Sequence, residues 1–194
     1  MSTLKKFERT QERDFSGHHM LLRVAKSELA EAEKNKLGRI DRCLVAMTFS
    51  ALACEALANA IGERIVDSWN DFESLSPKAK IRMLSERLGL PYLSSAQPWL
   101  GIHELAKFRN LIVHAKPEKV IEKKSITEEE YNSNHIEVPL SKLEKQITVG
   151  NARRAIEAVE AIKTMLFDKL QLENKLGIWS DGWSGSTRLM PNTA

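Results

Sequence analysis

The sequence predicts an all-α protein, an up-and-down helical bundle of about five helices. Two observations support this fold class. Apolar residues recur at the three- and four-residue spacing of a helix over long stretches, most clearly in 39–69 and 148–176. Helix start and stop signals separate these stretches, such as Ser76-Pro77 before one helix and Gly177 after another. The chain has 194 residues, 42% of them hydrophobic, which is enough for one domain with a sizeable core.

The predicted helices are bounded by capping residues, glycine and proline. In chain order they cover Ser16 to Lys36, Arg39 to Trp69, Ser76 to Gly89, Ser94 or Ser95 to His114, and Thr148 to Leu176. The second helix is apolar nearly all round from Leu44 to Ile61, a pattern typical of the central helix of a bundle. It therefore forms the core against which the others are expected to pack.

Three segments are expected to lie outside this helical framework, which covers 15–176. Residues 1–14 are charged throughout and predict a mobile tail without a signal peptide. Residues 116–146 break the helical pattern and predict an inserted arm, either a small β-hairpin or an irregular segment. Its lysines, beginning with Lys116, favour either an RNA-gripping flap or a plain solvated loop. Residues 177–194 form a C-terminal tail whose Trp179 and Trp183 are expected to dock on the bundle or on a partner.

Charge, cysteine spacing and hydropathy limit the partner, the cellular compartment and the membrane association that can be expected. The net charge of +3, from 29 basic and 26 acidic residues, is compatible with a polyanionic partner but does not by itself indicate one. Cys43 and Cys54 lie too far apart on one helix to form a disulfide, which favours a reduced, cytoplasmic protein. Leu44 to Ile61 is long enough to cross a membrane, but an acid at mid-span, Glu55, is costly in lipid, so no membrane association is predicted.

No metal or cofactor is predicted either. His103-Glu104 begins a zinc-protease pattern, yet position 107 is a lysine instead of the second histidine. The chain also has no glycine-rich phosphate loop. His18 and His19 are expected to be solvated, with a metal or proton site as the alternative.

The stretch Lys107 to His114 brings a guanidinium, a carboxamide and an imidazole together at the end of a helix. At about 100° per residue, four polar residues share one stripe of this helix: His103, Lys107, Asn110 and His114. Beside it lies an apolar face, formed by Ile102, Leu105, Ala106, Phe108, Ile112 and Val113. Arg109 points into the middle of that face, and a buried guanidinium needs an acid or a phosphate. Leu100 and Leu111 lie on the far side, which suggests a second cover such as another subunit.

This pattern, Arg-Asn-x-x-x-His near a helix end in an all-helical chain, resembles the HEPN superfamily. It is carried by Arg109, Asn110 and His114, and more weakly by the apolar helix Met47 to Ile61 with its lone acid, Glu55. The resemblance implies a dimer that brings two motifs together, and in many members a metal-independent endoribonuclease of toxin–antitoxin, phage-defence or RNA-processing systems. An antitoxin or a nucleotidyltransferase is the partner that it implies. Other members bind nucleotides or RNA, or serve as accessory subunits, without cleaving.

The residues themselves support a concrete mechanism. His114 suits general acid or base work because imidazole titrates near neutrality. Arg109 would neutralise the phosphate, and Asn110 would orient the imidazole or the phosphate. The supporting residues are Glu55, His103, Lys107 and Lys116. Glu55, or Glu63 further along the same helix, is expected to face Arg109 and fix its orientation; the alternative is that Glu55 is exposed at a bundle edge. Two rival interpretations are a module that binds RNA or a nucleotide without cutting, and a purely structural role for Arg109 and His114.

Overall fold

The computed structural model describes residues 7–133, 138–175, 177–178 and 182–190. It confirms the all-α bundle with a small two-stranded sheet. In chain order the elements are β1 (Phe7–Arg13), α1 (Gly17–Lys34), α2 (Arg39–Ile65), a 3₁₀ turn (Trp69–Phe72), α3 (Pro77–Arg87), α4 (Trp99–Val113), α5 (Glu128–Asn132), a second 3₁₀ turn (Glu144–Gln146), α6 (Val149–Lys169), α7 (Leu172–Lys175) and β2 (Trp183–Leu189).

Helix α2 is the centre of the bundle and contacts α1, α3, α4 and α6. Many of its buried residues are small, which lets these neighbours approach closely: Cys43, Ala46, Ser50, Ala51, Ala53, Cys54 and Ala58. By length and composition α2 is apolar enough to cross a membrane, a test that the core helix of a soluble protein also passes. Half of its most apolar window is buried inside the bundle.

Helix α2 ends four residues before the predicted Trp69 because the chain folds back at that tryptophan. Ser68 adopts a left-handed conformation with φ of 55°. The indole of Trp69 then packs on Gly62, where an added Cβ would lie 2.4 Å from the ring. Only glycine leaves room for this contact, so Gly62 and Trp69 together close the end of α2.

Helix α4 begins at Trp99, later than the predicted cap at Ser94 or Ser95. The side-chain Oε1 of Gln97 accepts a hydrogen bond from the Gly101 backbone N–H at 3.3 Å, so the cap is supplied nearer to the helix. Gly101 also faces α6, where an added Cβ would lie 2.6 Å from the Ala158 Cβ. The two helices therefore cross closely at this point, and α4 is fixed against α6 as well as α2.

The two strands come from the ends of the described chain. Strand β1 pairs antiparallel with β2, from Phe7 opposite Leu189 to Arg13 opposite Trp183, and both strands are exposed along their length. Residues 7–13 are thus a paired strand where a mobile tail was predicted.

The hairpin predicted within 116–146 is not formed in its described part, 116–133 and 138–146; residues 134–137 lie outside the described residues. This part contains the short helix α5 instead. Three successive glutamates follow Thr127, and the capping box that Thr127 forms with Glu130 starts the helix.

The C-terminal part of the chain is attached to the start of α1 by two histidines. The Nε2 atoms of His18 and His19 lie 3.0 Å and 2.7 Å from the Ile178 carbonyl oxygen. His18 is 2% exposed, so its predicted solvation is wrong: the buried carbonyl needs a donor, and the imidazole supplies it. Trp183 lies in β2 and is exposed, whereas the predicted docking of Trp179 falls outside the described residues. The last predicted helix, Thr148 to Leu176, is too long: α6 ends at Lys169, because Leu170 is extended with ψ of 144°, and α7 follows as a separate helix.

Candidate functional site

Helix α4 places Arg109 and Asn110 side by side near its C-terminal end. The aliphatic stem of Arg109 is half-buried and lines a small apolar pocket with Ala51, Cys54 and Pro77. Its Nη1 donates a hydrogen bond to the Asn110 Oδ1 at 3.4 Å. This burial follows from the position of Arg109 in the middle of the apolar face of α4, as the sequence predicts.

The expected pairing of Glu55 with Arg109 is wrong. Glu55 Oε1 lies 3.4 Å from the Nζ of Lys80 on α3, and the same ammonium donates to the Asn59 Oδ1 at 2.9 Å. The alternative of an exposed Glu55 is wrong as well, because only 27% of its side chain is accessible. Throughout the described residues no carboxylate lies within ion-pair distance of Arg109, so its guanidinium has no acid partner there.

A cleft of about 450 Å³ opens beside these residues, between α2, the N-terminal end of α3 and α4. It is lined by Glu55, Glu73, Ser74, Leu75, Ser76, Pro77, Lys78, His103, Ala106, Lys107, Arg109 and Asn110. We call it the motif cleft. Five of the seven residues that the sequence singles out meet there, namely Glu55, His103, Lys107, Arg109 and Asn110.

The motif cleft is electropositive. Three cations line it, Lys78, Lys107 and Arg109, against two carboxylates, Glu55 and Glu73, and the Glu55 carboxylate is paired with Lys80. Partial burial, Lys78 and Lys107, in that order of effect, lower the pKa of His103 below its ordinary 6.5. A neutral imidazole is therefore favoured at pH 7, and the cations around it are available to an anion.

Tyr92 fixes the ring of His103. The tyrosine hydroxyl lies 2.5 Å from the His103 Nε2, within hydrogen-bond distance, and burial raises the pKa of Tyr92, so the phenol keeps its proton. Tyr92 also packs on Trp99, with ring centroids 5.1 Å apart, which anchors the pair at the start of α4.

His114 and Lys116 lie outside the motif cleft. The backbone N–H of His114 donates to the Asn110 carbonyl at 3.0 Å and ends α4, and its side chain is exposed. The described residues offer its imidazole no hydrogen-bond partner. Lys116 follows in an exposed, irregular segment. Because His114 comes one turn after Asn110, it stands at the edge of the motif cleft and not among its lining residues.

A second cleft, of about 250 Å³, lies between α4 and α6. We call it the α4–α6 cleft; its lining residues are Met47, Gly101, Glu104, Leu105, Lys107, Phe108, Gln146, Asn151, Arg154 and Ala155. Among the described residues, Lys107 alone lines both this cleft and the motif cleft. The neighbouring Arg153 is directed elsewhere, with its Nη2 2.7 Å from the Glu33 Oε1 on α1.

Sequence reasoning missed Lys80 and Tyr92. Lys80 is four residues before the buried Leu84 and next to Ile81, so helical spacing does place it on the inner face of α3. That spacing was a usable signal for a buried, paired lysine. Tyr92 lies in an irregular segment eleven residues before His103, and no periodic pattern connects the two.

Cysteine chemistry is not favoured. Burial, with a smaller effect of the Glu55 charge, raises the pKa of Cys54 to about 12, and burial also raises the pKa of Cys43. Both thiols are free and buried, so neither is an activated nucleophile. Over the described ranges no three His, Cys, Asp or Glu side chains converge as a metal site would require.

Comparisons with known proteins assign the chain to no family. None of the family models, curated proteins or solved structures with which it was compared matches. The likeness to the HEPN superfamily therefore rests on Arg109, Asn110 and His114 in their helical setting. Function has to be argued from the chemistry of the clefts.

Proposed function

We propose that the protein is a HEPN-like, metal-independent endoribonuclease that cleaves RNA through a dimeric Arg109-Asn110-His114 site. The observation that carries the proposal is Arg109, a partly buried residue whose guanidinium lies beside Asn110 in the motif cleft without an acid partner among the described residues. A guanidinium without an acid partner is suited to hold a phosphate, for which it provides paired donors.

The chemistry needs no group beyond these side chains. The ribose 2′-hydroxyl loses its proton to a base and attacks the neighbouring phosphorus, and the bond to the departing 5′-oxygen breaks as that oxygen takes a proton. The products are a 2′,3′-cyclic phosphate end and a 5′-hydroxyl end. Arg109 stabilises the charge on the pentacoordinate phosphorus, Asn110 orients the phosphate, and an imidazole transfers the protons.

A dimer supplies the second imidazole. His103 precedes His114 by eleven residues, about 16 Å along a helix axis, so both rings of one protomer would not reach the same phosphate. One His114 cannot act as base and acid at once, so His114 of a second copy would be the other member of the acid–base pair. Leu100 remains 37% exposed and Leu111, on the same side of α4, is only partly buried, and this incompletely covered side supports self-association. Val113, which was predicted in the apolar face, is exposed at the end of the helix.

The resemblance to the HEPN superfamily also implies a biological role and partners. We propose a cytoplasmic toxin or phage-defence component, kept in check by an antitoxin or acting beside a nucleotidyltransferase. These partners rest on the likeness to the superfamily alone.

A second candidate function is binding without cleavage. It is favoured by one observation: Arg109 and Asn110 line the motif cleft, whereas His114 does not. A cleft that holds RNA or a nucleotide through the guanidinium and the lysines needs no proton transfer.

The experiment is a cleavage assay on total RNA in EDTA, with wild type and His114→Ala purified in parallel and their oligomeric state measured by light scattering. Cutting by a wild-type dimer and not by His114→Ala would support the nuclease. Full cutting by His114→Ala would overturn it. Retention of RNA by both proteins with cutting by neither selects the binding function.

A further inference from the structure

The α4–α6 cleft has the construction of a nucleotide pocket. We propose that it binds one base of the RNA strand whose phosphate lies at Arg109, and that it prefers a base with an exocyclic amino group. The assignment of RNA as ligand rests on the proposed function; the pocket chemistry rests on the side chains themselves.

The floor of the α4–α6 cleft is apolar. Met47, Leu105, Phe108 and Ala155 line it, and each is buried in the core, Phe108 with 3% exposure. An unstacked base presents two flat apolar faces and loses contact with water when it covers such a floor. A volume of about 250 Å³ suits a single ring system and not an extended chain.

The rim of the α4–α6 cleft carries cations that are held in place. The Arg154 guanidinium donates to the Asn151 Oδ1, and the Asn151 Nδ2 donates to the Gln146 carbonyl at 2.6 Å. Asn151 thus orients Arg154 at the cleft before any ligand arrives, which lowers the ordering cost of binding. Throughout the described part of the chain Arg154 has no carboxylate partner, so its charge is free for a phosphate.

Two further rim groups are available to read the edge of a base. The Glu104 carboxylate and the Gln146 side-chain amide line the cleft, and within the described residues neither has a hydrogen-bond partner. A carboxylate accepts from an exocyclic amino group, as carried by adenine, cytosine and guanine. Uracil has a carbonyl oxygen where cytosine has its amino group, and its ring N3–H is the one donor on that edge, between two carbonyl oxygens that a carboxylate would repel. We therefore expect Glu104 to disfavour uracil.

Lys107 connects this cleft with the motif cleft, because it lines both. A strand that runs from Arg109 to the base pocket would pass this residue, whose ammonium could then contact the next phosphate. The RNA would cross α4 at Lys107, with cleavage on one side and base recognition on the other.

Binding is tested with AMP, CMP, GMP and UMP on ¹³C-methyl-methionine protein, using the Met47 resonance as the reporter of the α4–α6 cleft. We expect the three amino-bearing nucleotides to shift this resonance at lower concentration than UMP. Arg154→Gln should weaken AMP binding about tenfold, through loss of a charge-assisted contact. Arg153→Gln makes the same charge change one residue away, on a side chain held by Glu33, and should stay within about twofold. Glu104→Gln should reduce the difference in binding affinity between CMP and UMP.

Sequencing of the RNA ends then separates this inference from the nuclease proposal. If RNA is cut and Glu104→Gln or Arg154→Gln changes the base preference next to the cut, the inference stands. If both variants cut RNA with the same base preference as wild type, the base-pocket inference is wrong while the nuclease proposal survives. If wild type does not cut RNA but Arg154→Gln weakens AMP binding and Arg153→Gln does not, the nuclease proposal is wrong and the nucleotide pocket is supported. An unresponsive Met47 resonance with all four nucleotides overturns the pocket.

Discussion

The Lys80 ammonium donates to the Glu55 carboxylate across the α2–α3 interface, with 3.4 Å between Nζ and Oε1. Lys80 is 1% exposed, and the Asn59 Oδ1 at 2.9 Å is its second acceptor. This contact fixes the start of α3, where Pro77 and Lys78 form one wall of the motif cleft. Because Glu55 is engaged there, Arg109 keeps its charge for a ligand.

We expect Glu55→Ala to lower the free energy of unfolding by about 2–4 kcal/mol, because it leaves the buried Lys80 without a counter-charge. Lys80→Met should cost much less, since the partly exposed Glu55 can be solvated when the lysine is replaced by an apolar chain. In urea denaturation the double variant should be closer to Lys80→Met than to Glu55→Ala. If the two single variants lose the same free energy of unfolding and the double variant loses the sum of both, Glu55 and Lys80 are not coupled.

Arg109→Gln is expected to leave the free energy of unfolding within about 0.5 kcal/mol of wild type, because no ion pair is lost. RNA cleavage should fall by about a hundredfold or more, since one donor to the developing negative charge disappears. Urea denaturation and initial cleavage rates measure the two effects on the same preparation. Arg23→Gln, at an exposed position on α1, is the control and should change neither. A large loss of stability in Arg109→Gln would show a structural arginine.

The helical bundle and the polar stripe of α4 could be predicted from the sequence because both follow from local periodicity. The spacing of His103, Lys107 and Asn110 alone places them on one face, and the structure brings them into one cleft. The position of Arg109 in the apolar face predicted its partial burial in the same way.

Contacts between distant elements could not be predicted in this way. Lys80 reaches Glu55 from another helix, and a lysine on an inward face has no pattern that names its partner. Strand β1 lacks alternation of apolar and polar residues, and its pairing with β2 joins opposite ends of the described chain. The α4–α6 cleft combines Lys107 with Arg154 from separate helices, so only the packing of α4 on α6 reveals it.

His103 should make stability depend on pH in the acid range. Burial, Lys78 and Lys107 hold its folded pKa below 6.5, so as the pH falls through 6.5 the unfolded chain takes up the proton first. The free energy of unfolding should therefore decrease from pH 6.5 downward until the folded pKa is reached. In urea denaturation at several pH values, His103→Gln should show a smaller decrease than wild type over this window.

The two lysines can be separated by NMR titration of the His103 ring. Lys78→Gln should raise the pKa of His103, and Lys107→Gln should raise it by less, in the order of their effects. Lys116→Gln serves as the control because Lys116 lies outside the motif cleft. Identical titration curves in all four proteins would contradict the electropositive character of the cleft.

His18→Ala should loosen the C-terminal segment from α1 and cost about 1–3 kcal/mol of unfolding free energy, because a buried side chain is lost with its contacts to the Ile178 carbonyl and the buried Ser16 hydroxyl, and the carbonyl keeps only the His19 donor. His19→Ala should cost less, since His19 is only partly buried and the water around it can replace the bond. Limited proteolysis should cleave 170–190 faster in His18→Ala, and faster there than in His19→Ala, while His114→Ala behaves as wild type. If His18→Ala and wild type are cut at the same rate, the two histidines do not hold this segment, and pairing of β1 with β2 alone retains it.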